Sequence, residues 1–268
     1  MKRIIKIYYI FAFLLMFGSS FVYSQTSLGR PFTSCYQQDF ALCSNCSIET
    51  TGNITIPVNF QGITCDITVF YRMKTCDCPE PTVFIDLNYI KVNIYDCPDL
   101  ICFLHPGPPE PPPSDNGCIN NPLDQSNYDA LEITLYKDLD SVLFQSIKSQ
   151  FPCPEKMRFR KYAIASCKKV CGARLSAPGE PDAVVYVPKI CNDEVCCYTD
   201  FLFCQNQYDE TIWERLPSQL SEPCPVNPSG PPCLSVNDTV DILGITYTVT
   251  MVMNSECTAG CTNPLFLW

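Results

Sequence analysis

The stretch ICNDEVCCYTDFLFC, residues 190–204, carries four cysteines, two of them adjacent. Zinc ligation, redox exchange and covalent crosslinking are the three uses such a cluster can have. Its aromatic and apolar content reads as a buried strand. Neighbouring side chains on a strand point to opposite faces, so Cys196 and Cys197 should be tied to two different partners. A bond between the two neighbours would strain the linking peptide.

The start of the chain bears on the choice. MKRIIKIYYIFAFLLMFGSSFVYSQ opens with Lys2, Arg3 and Lys6, continues through an apolar run and ends in small residues. That is the anatomy of a secretory signal peptide with cleavage after Ser24. The apolar run is short for a membrane span, which takes about 20 residues, and no second long run follows. The expectation is therefore an exported protein, secreted or at the cell surface, with the periplasm as the other compartment, and no transmembrane span after cleavage.

All 20 cysteines lie beyond that cut: Cys35, Cys43, Cys46, Cys65, Cys76, Cys78, Cys97, Cys102, Cys118, Cys153, Cys167, Cys171, Cys191, Cys196, Cys197, Cys204, Cys224, Cys233, Cys257 and Cys261. An even count in an exported chain implies a disulfide framework, whose pairing spacing alone does not give. Zinc sites usually recruit histidine or repeated CxxC pairs. This chain has one histidine, His105, and one CxxC, at Cys43 and Cys46. The surroundings of Cys43 show no βαβ pattern of the kind redox motifs use. Crosslinks are the reading that fits, with no metal and no cofactor expected.

The charge narrows the partners. The chain has 28 acidic and 18 basic residues, and three of the basic ones lie in the leader, so the exported part carries a formal charge of about −13. Such a chain repels phosphate backbones, and no nucleic-acid partner is expected. One region runs against the trend: Lys156, Arg158, Arg160, Lys161, Lys168, Lys169 and Arg174 fall within 19 positions. They read either as a patch for an anionic glycan, lipid headgroup or acidic partner, or as internal neutralisation of the chain's own acids, and the second reading is preferred.

Two proline clusters punctuate the chain. PGPPEPPPSDNG at 106–117 reads as an extended polyproline II spacer of roughly 25 Å, and 217–232 as a second connector pinned by Cys224. The resulting layout is a signal peptide at 1–24, a β-rich cysteine module at 25–105, the linker at 106–117, and a helix-plus-β module at 118–216. The connector at 217–232 and a C-terminal β segment at 233–268 complete it.

Within the first module, GITCDITVFYRMKTC alternates as a half-buried antiparallel strand, with Ile63, Cys65, Ile67, Val69, Tyr71 and Met73 on one face. Further strands follow Pro81, and no helix is expected there. The second module opens with one amphipathic helix, carrying Tyr128, Leu131, Leu135, Leu139, Val142 and Ile147 at helical spacing. Ser126 with Asp129 is the expected cap and Pro152 the stop. MRFRKYAIASC, AVVYVPKIC and EVCCYTDFLFC read as strands, and GARLSAPGEPDA, at 172–183, as a loop. In the C-terminal part, GITYTVTM from Gly244 resembles GITCDITV from Gly62, a weak internal repeat. The closing NPLFLW reads as a terminal strand, since one short segment cannot make a membrane barrel.

The fold expected is mainly β with one amphipathic helix, built as disulfide-stapled small antiparallel sheets or sandwiches. Catalytic signatures such as GxSxG, HExxH or a Walker loop do not occur. His105, the sole candidate base, sits against a proline run. Sequons stand at Asn45, Asn53 and Asn237. The leading functional expectation is a non-enzymatic structural or adhesive protein, with extracellular matrix, a glycan or another protein as partner. The alternatives are a hydrolase using paired carboxylates, and an inhibitor or binding module that projects the 172–183 loop.

Overall fold

The computed structural model describes residues 28, 40–41, 43–78, 81–107, 117–144, 151–163, 168–191, 197–215 and 232–257. The alternation after Gly62 is the second arm of a hairpin. β1 (Thr50–Phe60) and β2 (Ile63–Asp77) pair antiparallel from Phe60↔Ile63 to Thr50↔Met73. The two residues between them, Gln61 and Gly62, have φ of 50° and 83°. A two-residue type I′ turn needs both angles positive, and glycine takes the second without steric cost. The same turn joins β9 (Thr239–Ile242) to β10 (Ile245–Asn254), where Leu243 and Gly244 have φ of 54° and 83°. The two similar sequence stretches thus hold equivalent positions, each the strand that leaves a I′ turn.

Ten strands among the described residues form one sheet, antiparallel except at a single pair, and it forks. β3 (Pro81–Asn93) gives one edge to β2. Its other edge is divided. Thr82 to Ile85 pair with parallel β4 (Met157–Ala163), while Ile90 to Asn93 pair with antiparallel β6 (Ala183–Ile190). One branch continues from β4 to β7 (Cys197–Gln205) and β8 (Thr211–Arg215). The other continues from β6 to β5 (Lys168–Ser176), β10 and β9. Pairing of β6 with β3 stops at Tyr186, before Pro188, whose missing N–H could not serve that ladder. In the gap of the fork, the Leu87 N–H donates instead to the Tyr136 hydroxyl at 2.9 Å. A parallel pair needs a long crossover, and here it carries the helices: α1 (Pro98–Leu104), a 3-10 turn (Gly117–Asn120) and α2 (Gln125–Phe144).

α2 forms where the 3.6-residue period places it. Tyr128, Leu131, Leu135, Tyr136 and Leu139 are buried against the sheet, while Val142 is exposed. Its cap is Asp124 and not Ser126: the Asp124 Oδ1 accepts from the backbone N–H of Ser126 and Asn127 at 2.9 and 3.1 Å. The Ser126 hydroxyl also donates to that oxygen, and these bonds hold the Asp124 carboxyl below its ordinary range. α1 was not expected. It is short, opens on Pro98 and buries Leu100, Ile101 and Leu104. Its last carbonyls are capped from α2, with the Asn127 side chain donating to Phe103 O and the Asp124 N–H to Leu104 O.

Both faces of the sheet are covered. The larger core lies between α1, α2 and one face of β1–β3, with Val170, Val184, Tyr186, Met157 and Phe203 from the two branches. The second gathers Phe70, Tyr89, Val185, Val187, Tyr247 and Val249 on the opposite face. A stacked pair, Phe70 with Tyr89 at 4.1 Å between centroids, closes its middle. A bulge between Phe70 and Tyr71 shifts the register, so Leu87 and Ile90 both reach the larger core. Arg72 and Asp86, opposite each other in β2 and β3, are buried as a 2.7 Å ion pair.

Among the described residues, seven disulfides cross this framework: Cys43–Cys78, Cys46–Cys76, Cys65–Cys97, Cys102–Cys118, Cys153–Cys204, Cys171–Cys233 and Cys191–Cys257. The sulfurs of the CxxC are therefore committed to two different partners on the far end of β2. Cys35, Cys167, Cys196, Cys224 and Cys261, and the Cys197 side chain, lie outside the described residues, as does the neighbour-pair question they raised.

The chain is mainly β and disulfide-stapled, as expected, and its described strands gather in one sheet. That sheet runs through described segments on both sides of 106–117 and of 217–232. Cys102 and Cys118, which flank the first proline run, are 4.9 Å apart at Cα, and the Asn121 side chain donates to His105 O. Part of GARLSAPGEPDA is strand: Gly172 to Ser176 belong to β5, between β6 and β10, and Ala177 to Asp182 connect β5 to β6. A Cβ on Gly172 would meet Met253 O at 2.6 Å, which is why a glycine interrupts this strand.

Candidate functional site

The polar residues with chemical potential meet beneath α2. Asp129 and Glu132, three apart on the helix, flank its apolar stripe and point toward β5. Lys168, the first residue of β5, answers both: its Nζ lies 2.7 Å from the Asp129 carboxylate and 2.8 Å from that of Glu132. Burial by itself pulls a lysine down, but the two carboxylates and their hydrogen bonds outweigh it and hold the Lys168 ammonium above its usual range. The network extends along the helix. The Gln125 amide donates to Asp129 Oδ1 at 3.0 Å, the Ser255 hydroxyl donates to Gln125 Oε1, and the Val170 N–H donates to the Ser255 Oγ at 2.8 Å. Helix, β5 and the end of β10 are thus joined by one chain of polar contacts.

Aromatic rings continue the cluster toward the sole histidine. Lys168 Nζ lies 5.9 Å from the Tyr128 ring, and Tyr128 lies 6.0 Å from Tyr186 on β6. Tyr186 meets His105 at the end of α1. His105 is fully buried, with Nδ1 2.9 Å from Asn121 O and Nε2 3.0 Å from the Tyr186 hydroxyl. A carbonyl can only accept, so Nδ1 carries the proton and Nε2 accepts from the tyrosine. Burial pushes the imidazole below its ordinary value, against the contrary pull of the Asn121 carbonyl. Burial likewise pushes the Tyr186 phenol up. The ring is a neutral, doubly bonded strut.

The chemistry this arrangement permits is narrow. Asp129 and Glu132 are a carboxylate pair, as a hydrolase would need, but both are engaged by one ammonium in a site closed by Tyr128 and the helix. His105 is closed off from solvent, with its two ring nitrogens engaged by the Asn121 carbonyl and the Tyr186 hydroxyl. Among the described residues, no group of three or more His, Cys, Asp or Glu side chains converges to hold a metal.

The basic residues singled out in the sequence stand in several places in the described fold. Lys168 is inside the network just described. Lys156 at the start of β4 is paired with Glu214 of β8, and Arg174 is paired with Asp182 at 2.7 Å. Lys169, half-buried, stands opposite Lys189 in the β5–β6 ladder. Arg158, Arg160 and Lys161 remain together on β4, where their backbone partners on β7 are Leu202, Asp200 and Thr199. Sequence reasoning missed the carboxylates that receive Lys168. The signal was present, as two acids placed on the border of an otherwise apolar helix stripe.

No protein-family model, curated protein or solved structure matches this chain. The crosslinks themselves point to an oxidising, extracellular type of environment. No helix among the described residues is long and apolar enough to cross a membrane.

Proposed function

We propose that the chain is a non-enzymatic structural or adhesive protein working outside the cell. The observation that carries this reading is where its reactive groups are used. The buried lysine and the helix carboxylates are spent on one another inside the scaffold, and the histidine on the Asn121 carbonyl and the Tyr186 hydroxyl. The crosslinks, the leader-like start and the acidic surface agree with a durable exported protein. For a partner, the β4 basic residues Arg158, Arg160 and Lys161 favour an anionic glycan or an acidic protein over a nucleic acid.

The test uses the full oxidised chain. It is screened against immobilised matrix proteins and anionic polysaccharides, and in parallel against polysaccharide and peptide substrates. Saturable binding without turnover is the expected result, weakened by Arg158→Ala with Arg160→Ala. Turnover abolished by Glu132→Gln in a folded protein would replace this reading with that of a carboxylate hydrolase.

A further inference from the structure

The lone histidine joins parts of the molecule that little else joins. Its ring stands between the end of α1, the segment after the 3-10 turn and the middle of β6. Both groups that touch its nitrogens are neutral, a backbone carbonyl and a phenol. From β6 the facing titratable group is Tyr186. From α2 it is Tyr128, and behind that ring stands Lys168 of β5 with Asp129 and Glu132. Among the described residues, the segment between α1 and α2 meets the ring with the Asn121 carbonyl, and the Asn121 side chain donates to His105 O. No carboxylate reaches the ring among the described residues, so nothing there would balance an imidazolium.

We propose that His105 is an acid-sensitive latch, whose protonation uncouples α1 and the 3-10 turn from β6. A proton on Nε2 would point at the Tyr186 hydroxyl, which now donates to that same atom. The hydroxyl must turn to accept, its own hydrogen loses its acceptor, and a charge is left in a dry site. Opening of the cap lets water reach the ring. It also bares the apolar undersides of Leu100, Ile101, Leu104 and Ile119, all buried in the closed form. The opening is bounded, because Cys65–Cys97 ties the start of α1 to β2 and Cys102–Cys118 ties α1 to the 3-10 turn. The latch thus gives a local, reversible change in a chain that stays covalently joined. The direction follows from linkage. A ring held neutral by folding favours the closed form fully above about pH 6.5, and that preference is lost as the pH falls from there through the lowered folded value.

Because the chain has one histidine, its ring protons can be followed by NMR in the full oxidised protein without ambiguity. The ring should titrate below about pH 6.5. Native-state amide exchange, corrected for intrinsic rates, should show the opening constant of residues 100–104 and 118–121 rising up to about tenfold per pH unit in that window, with β5 and β10 unchanged. His105→Gln, which offers an amide donor and a carbonyl acceptor, should remove the pH dependence. Tyr186→Phe should move the window upward toward pH 6.5, and it serves where the glutamine variant does not fold. A ring titrating at or above 6.5, an opening constant flat from about pH 7 to about pH 5.5, or a dependence that survives in His105→Gln each overturns the latch.

Discussion

Replacing Lys168 with methionine isolates the worth of the buried network, because the shape is nearly kept and the charge is lost. The side chains of Lys168, Asp129 and Glu132 are only 8 %, 10 % and 11 % exposed, so solvent does little to screen what remains. Lys168→Met strands two carboxylates beside each other in the core. Removing one partner of a buried pair costs about 3–5 kcal/mol, most of it the penalty of the charge left behind. For a chain of this size that is a fall in Tm of roughly 6–20 °C, at about 2–4 °C per kcal/mol. The assay is thermal or denaturant unfolding of the oxidised protein across pH. The deficit should be largest near neutrality and shrink in acid, where carboxylates as a class take up protons and an unpaired charge is lost. In the wild type, where the ammonium is held above its ordinary 10.5, the lysine's contribution is complete below that pH and fades only as the pH rises through its folded value. A loss below about 1 kcal/mol, or a deficit independent of pH, would show that the network is solvated and carries little.

Two further perturbations read other parts of the fold. Cys102→Ser with Cys118→Ser opens a crosslink spanning 16 residues, for which chain entropy gives about 3 kcal/mol, measurable by denaturant unfolding with the other bonds intact. It should also leave the 106–117 run more open to proteolysis. Tyr136→Phe removes the hydroxyl that accepts the Leu87 N–H in the fork, and leaving that buried donor bare should cost about 1–3 kcal/mol in the same assay.

What could be read from the residues was whatever is local and periodic. The α2 stripe from Tyr128 to Leu139 and the alternation of β2 from Cys65 to Met73 are properties of ten or so consecutive positions, and both appear where expected. α1 is seven residues long, too short to show a helical period, and its only sequence mark was proline at the first position. The second half of β5, Gly172 to Ser176, was read as loop because the prolines and glycines of 172–183 mark turns. Its reasons lie elsewhere in the chain, in the Met253 carbonyl against the glycine and in the helix acids that receive Lys168. Sequence proximity placed Lys156, Lys168 and Arg174 together, whereas the fold pairs Lys156 with Glu214, Arg174 with Asp182, and Lys168 with both Asp129 and Glu132. His105 was judged by the prolines that follow it, but its environment is set by Tyr186, 81 positions away.

A chain with this many crosslinks has no evident need for ionic groups in its core, and their presence asks for an explanation other than stability. Disulfides shrink the unfolded ensemble, but they do not say which face of α2 meets β5. An apolar helix stripe could rotate or slide by a residue with small loss, whereas Asp129 and Glu132 find their ammonium in only one register. The discriminating variant is Asp129→Leu, Glu132→Leu and Lys168→Met together. Buried ion clusters replaced by apolar residues of similar volume are often neutral or stabilising by about 1–4 kcal/mol, so the equilibrium stability of the correctly bonded variant should match or exceed wild type. Oxidative refolding should tell them apart: the apolar variant should populate more non-native disulfide isomers, resolved by non-reducing peptide mapping, because nothing then selects the helix register while the bonds form. Equal yields of the native isomer from both chains would mean that the crosslinks and the apolar core specify the fold unaided, and that the network is retained for some other purpose.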